Sequence, residues 1–176
     1  MTSTTAPAAT TTDERADLLD ALTTHRWFLT YTVQGLTDEQ ARLRPTVSAL
    51  SLGGLVKHVA ATEATWAEFV LVGPDAFPAF DESSAAEWAA EFVMGPEETL
   101  AGVLADYAEV AARTDELVCT LPNLDAAHPL PEAPWFTPGA HRSARRVFLH
   151  LIAETAQHAG HADLLRESID GQKTMG

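Results

Sequence analysis

The stretch "HLIAETAQHAGHADLLRE", residues 150–167, carries His150, Glu154, His158 and His161 at steps of four, four and three. Imidazole nitrogens and carboxylate oxygens hold zinc and related divalent cations, and imidazole also carries protons near neutral pH. At about 100° per residue the four side chains fall within a helical sector roughly 80° wide. Val147, Leu151 and Leu165 lie in or beside that sector, so the polar groups are bracketed by apolar ones instead of being segregated on a solvated face. An ionised glutamate in such surroundings needs a partner, or its pKa moves until it is neutral.

A second helical stretch offers that partner. In "SLGGLVKHVAATEATWAEF", residues 51–69, His58 shares a face with Leu55, Thr62, Trp66 and Phe69. Side chains four apart on a helix lie about 5–6 Å from each other at Cβ. Glu154 and His158 can therefore offer an oxygen and a nitrogen to one ion, and His58 could close the triangle from a neighbouring helix. Two histidines and a carboxylate form a catalytic zinc set that keeps a position open for water or substrate. The same three residues also suit a plain buried hydrogen bond or ion pair. Three or four donors suffice for an ion, which leaves His150 and His161 as pocket groups, His161 being the candidate catalytic one. His25, in "TTHRWFL", and His128 and His141, around a proline-rich stretch, have weaker claims.

Four long helical patterns must position these groups. The first starts at a capping box of Thr11 and Glu14 and runs to about Leu36. A second box, Thr37 to Gln40, opens a short turn halted by Pro45. The second long helix covers residues 51–72 and ends at Gly73-Pro74. In the connector that follows, "SSAAEWAAEF" holds one or two turns. Pro96 suits the first turn of the third helix, which continues to about Leu121. Residues 122–139 contain five prolines and read as an irregular crossover. The fourth helix runs from about Ser143 to Ile169 and stops at Gly171. No alternation of period two extends over four residues, so strands have little support. The expected fold is all-α, a four-helix bundle with two long connections, in one domain over residues 13–171. Such bundles build metal and ligand sites in their core from facing helices.

Composition narrows the function. Twenty-five acidic residues against eleven Lys and Arg give a formal charge of −14, which argues against nucleic acid or an anionic membrane as partner. No apolar run is long enough to span a bilayer. The opening "MTSTTAPAATTT" lacks the basic start and apolar run of a secretory signal, and residues 1–12 are expected to be a disordered tail. The single Cys119 cannot form an internal disulfide and is expected to be a packing residue of a cytoplasmic protein.

The motifs "SLGGLVKHVAATE" (51–63), with Trp66 downstream, and "FLHLIAETAQHAGHADLLRESIDG" (148–171) resemble the DinB superfamily of bacterial four-helix bundles, in particular its small actinobacterial branch. That resemblance implies a divalent metal held by one histidine of the second helix and a pair four residues apart on the last. Many members use two histidines for that pair; Glu154 in the first position resembles the mycothiol-dependent maleylpyruvate isomerases. Carried over by position, the ligands are His58, Glu154 and His158. Zinc is the expected metal, with nickel, iron or manganese also suited to mixed N and O ligation. The implied activity is a thiol S-transferase or isomerase reaction with a low-molecular-weight thiol such as mycothiol and an electrophilic substrate. The alternatives are a metal-dependent hydrolase and a non-enzymatic, stress-related metal-binding bundle. The resemblance also implies a homodimer. Phe77, Phe80, Trp88, Trp135 and Phe136, in the two long connectors, are placed to shape a pocket mouth or simply to pack.

Overall fold

The computed structural model describes residues 13–78 and 82–174, apart from the side chains of residues 82–85 and 87. Residues 1–12 and Phe80, and with them the expectations of a tail and of a Thr11 cap, lie outside. Helix α1, Glu14–Tyr31, is capped by Asp13, whose carboxylate accepts from the Arg15 amide. It is shorter than the expected span to Leu36. From Thr32 the amides bond three residues back, to Leu29, Thr30 and Tyr31, and Gly35 then turns at φ 75°. Such tightening is a common way for a helix to end. The short α2, Asp38–Arg42, has the Thr37–Gln40 capping box that its sequence predicts.

Helix α3, Leu52–Val72, is capped by Ser51 and ends at Gly73, where φ is 70°. A 3-10 turn, Gly73–Ala76, and α4, Glu82–Glu91, occupy the first long connection. Helix α5, Leu100–Thr120, starts at a Thr99 cap, three residues beyond Pro96. Pro96 stands instead in a turn closed by a bond from the Glu98 amide to the Gly95 carbonyl, so it does not start the helix. Helix α6, Ala144–Asp170, runs from a Ser143 cap to Gly171 at φ 80°, as its sequence predicts.

The crossover departs from the all-helical expectation in one respect. Strands β1, Ala127–Pro129, and β2, His141–Ser143, pair antiparallel, with His128 opposite Arg142. Three residues are too few to display a period, so nothing in the local sequence marks them. The ladder pins both ends of the proline-rich loop against the bundle. Cys119 also departs from expectation, for it is exposed. Val118 takes the fully buried position, and one residue further the helix has rotated about 100° toward solvent.

Helix α1 packs against α5 and α6, and α3 packs against the same two. Of the long helices adjacent in sequence, α3 and α5 are neighbours, whereas α1 and α3, and α5 and α6, sit across the diagonals of the bundle. Two apolar clusters fill the interior. One gathers Leu29, Leu52, Leu55, Val103 and Leu165; the other gathers Leu22, Trp66, Phe69, Val118, Phe148 and Leu151. Burying each such large side chain contributes about 1.5–3 kcal/mol. A polar layer lies between the clusters. Arg26 of α1 donates to Glu63 of α3, with Nη2 2.5 Å and Nε 3.2 Å from the carboxylate, and to Asp115 of α5 at 2.7 Å. Burial opposes the Arg26 charge, yet the bonds from Glu63 and Asp115 outweigh it and raise its pKa.

The paired glycines of "SLGG" have a packing reason. A Cβ on Gly54 would stand 2.0 Å from the Phe92 carbonyl oxygen, and one on Gly53 would stand 2.5 Å from Met94 Sδ. The chain leaving α4 thus lies directly on the first turn of α3. Gly54→Ala is expected to lower stability by about 1–3 kcal/mol, because backbone must move to admit the methyl. The midpoint of urea unfolding measures this. An unchanged midpoint would mean that the close approach is absent.

Candidate metal centre

Helices α3 and α6 meet along a seam whose facing pairs are His58 with His158 and Trp66 with His150, each with ring centroids 5.0 Å apart. Partner numbers fall on α6 as they rise on α3, so the two helices are antiparallel. One turn before His158 on α6 lies Glu154. Its Oε1 is 3.2 Å from His158 Nε2 and 3.6 Å from His58 Nε2. One donor atom from each of His58, Glu154 and His158 lies within 4.8 Å of the other two. His58 and His158 are buried, and Glu154 is partly buried.

These separations can be tested against a metal. Donors about 2.0–2.2 Å from a tetrahedral cation lie about 3.3–3.6 Å from one another. Both Nε2 atoms lie at close to that spacing from the Glu154 oxygen, and both imidazoles aim the same nitrogen at it. The donor set therefore fits a zinc-like ion with three protein ligands. His158, then His58, holds the Glu154 carboxyl well below the usual carboxylate range, and burial opposes them only in part. Because that folded value is depressed, ionised Glu154 stabilises the metal-free fold above the ordinary carboxylate range. The contribution fades as pH falls through and below it.

The outer nitrogens of both imidazoles also have neighbours. His158 Nδ1 is 3.4 Å from His161 Nδ1. His161 therefore stands behind His158, on the side away from Glu154. His58 Nδ1 is buried without a hydrogen bond and faces Glu91 Oε2 at 3.7 Å, while Phe92 stacks on the ring at 3.7 Å between centroids. Burial raises the Glu91 pKa despite the nearby His58. Thr62 Oγ1 lies 3.4 Å from His58 Nε2, on the inner side. Glu91 and Phe92 carry no signal in the sequence. They come from the connector, and only the approach over Gly54 brings them to His58.

The remaining histidines are elsewhere. His150 lies one turn beyond Glu154 against Trp66, and burial followed by Arg142 pushes its pKa down. His128 packs on Phe69 and under Gly73. His141 is exposed beside the Gly139 carbonyl, and His25 sits near Phe28 on α1. Of the connector aromatics, Phe77 and Phe136 pack around Trp66, and Trp88 stacks on Trp135.

Carboxylates that bond the outer nitrogen of a metal-binding histidine raise affinity by fixing the ring. Glu91→Ala is expected to weaken zinc binding about 10–100-fold, with Glu91→Gln losing less. Competition against a chromophoric chelator reads this. Equal affinities in all three proteins would remove Glu91 from the site.

Comparison with solved structures finds the same fold at low identity. A conserved protein from Enterococcus faecalis superposes with a TM-score of 0.65 at 16% identity, covering 92% of this chain and 100% of the other. YfiT from Bacillus subtilis, described as a probable metal-dependent hydrolase with an unusual four-helix bundle topology, gives 0.64 at 17% identity, covering 92% and 91%. No curated protein matches the chain. The mycothiol-S-transferase family, however, matches residues 17–171, a span that takes in all four long helices except the first turn of α1 and includes every donor described above. On that match the chain belongs to the mycothiol-S-transferase family.

Proposed function

We propose that this protein binds a divalent cation through His58, Glu154 and His158 and joins a low-molecular-weight thiol, through its sulfur, to an electrophilic substrate, the thiol giving up its proton as the carbon–sulfur bond forms. The family name makes mycothiol the first thiol to test. The observation that carries the reading is the spacing of the three donors, two Nε2 atoms at 3.2 and 3.6 Å from one carboxylate oxygen. Three protein ligands leave a tetrahedral ion a position for an exogenous ligand. A cation held there supplies Lewis acidity, which favours the thiolate over the thiol at neutral pH.

The chain's own residues prepare that position. Glu154 brings a negative charge that stays ionised across the neutral range. Phe92 covers the outer face of His58 and keeps water from that ring. His161 stands behind the His158 ring, where it orients that ring or relays a proton for it. Among the described residues the donor cluster is limited to His58, Glu154 and His158, without His161 or His150 as a fourth ligand of the structural kind. Zinc suits the donors best, with nickel, iron and manganese as rivals.

The test is elemental analysis of protein purified without an affinity tag, followed by turnover of electrophiles with and without thiol. Metal at one equivalent together with thiol-dependent turnover supports the proposal. Turnover of esters or amides that ignores added thiol would favour the hydrolase reading that the YfiT description suggests. One equivalent of metal without any turnover would leave a binding or sensing bundle.

A further inference from the structure

Among the described residues, Arg142 is the one arginine with a buried nitrogen that has no hydrogen-bond partner. Every other arginine that is not fully exposed donates to a carboxylate or a carbonyl. Arg15 donates to Val118 and Leu121, Arg26 to Glu63, Arg42 to Gly95, Arg145 to Glu14 and Arg166 to Asp170. Arg142 Nη1 is buried and has no hydrogen-bond partner among the described residues. The guanidinium sits in the corner formed by two nearly perpendicular rings, with Cζ 4.5 Å from the Trp66 centroid and 5.4 Å from that of Phe136. Burial, then Arg146, pushes its pKa down. In a chain of net charge −14, a partly buried cation with no acidic partner among the described residues is costly to keep. The aromatic faces offset part of that cost, and a charged hydrogen-bond acceptor would offset more.

The position along the seam says what the acceptor belongs to. Trp66, which Arg142 covers, also touches His150, and His150 is one helical turn, about 6 Å of rise, from Glu154. We propose that Arg142, with His150 beside it, binds a carboxylate on the substrate, while another part of that substrate reaches His58, Glu154 and His158. The two rings cover the guanidinium from adjacent sides only, and Arg142 is partly buried, so its fork can still offer paired bonds to a planar carboxylate. The inference deepens the proposed function by naming an acidic substrate, and it depends on the metal reading only for the far end of that molecule.

The probes are two thiols that differ only in the terminal group, mercaptohexanoate and mercaptohexanol, titrated calorimetrically into zinc-loaded and zinc-free protein. Mercaptohexanoate is expected to bind at least about tenfold more tightly than mercaptohexanol. Arg142→Gln is expected to bring that ratio to about one without changing the affinity for the alcohol, which serves as the check on folding. Arg142→Lys should keep part of the ratio. A ratio near one in the unsubstituted protein, or a ratio that Arg142→Gln leaves intact, overturns the subsite. So does an equal carboxylate advantage with the short pair mercaptopropionate and mercaptopropanol, which cannot span a helical turn. If zinc leaves both affinities unchanged while the carboxylate advantage persists and needs Arg142, the subsite stands and the metal reading fails.

Discussion

Replacing His58 by alanine is expected to lower zinc affinity by more than about 100-fold and to abolish thiol-dependent turnover. Loss of even an outer partner of a ligand costs about 10–100-fold, and His58 is proposed as a ligand itself. Among the described residues no other group can take its place. The only three-donor cluster of this kind is His58, Glu154 and His158, and the nearest further histidine, His161, faces the wrong side of His158. The measurement is chelator competition on the unsubstituted protein and on His58→Ala, with helical circular dichroism confirming that both are folded. Zinc affinity within about threefold of the unsubstituted value would end the proposal, because an ion would then be bound somewhere else. His158→Ala should behave alike, since its Nε2 makes the shorter approach to Glu154.

Arg26→Ala is expected to be the most destabilising single change in the polar layer, costing about 3–5 kcal/mol. Glu63 is 1% exposed, and the guanidinium of Arg26 is its only partner among the described residues. Removing Arg26 leaves a carboxylate in the interior with nothing to offset its lost hydration. Glu63→Ala should cost less, because Arg26 keeps Asp115, a residue at the edge of the bundle. Replacing both at once, as Arg26→Met with Glu63→Leu, should recover much of the loss, since well-packed apolar groups can substitute for a buried ion pair. Urea unfolding of the four proteins gives the comparison. Equal costs for the two single changes would show that Asp115 does not hold Arg26 in solution. Against a total stability of about 5–15 kcal/mol, the Arg26→Ala loss decides whether the protein stays folded at 37 °C.

Much of this protein is legible along the chain because helices are local objects. The step of four between Glu154 and His158, and the shared face of His58, Thr62 and Trp66, follow from helical geometry alone. The spans of α3 and α6 and their stops at Gly73 and Gly171 are local in the same way. The three residues that meet at the seam are therefore recognisable as a possible ligand set from spacing and side-chain chemistry.

Glu91, Phe92 and Arg142 are different, for each comes from an irregular connection whose course depends on what it packs against. Phe92 reaches His58 because Gly54 lets one backbone lie on another, and Arg142 reaches Trp66 because a three-residue ladder pins the crossover. The salt bridge from Arg26 to Glu63 spans a diagonal that no local pattern encodes. Periodicity reports which way a side chain points on its own helix; which partner waits there depends on how distant segments pack, and that is set by burial summed over the whole bundle.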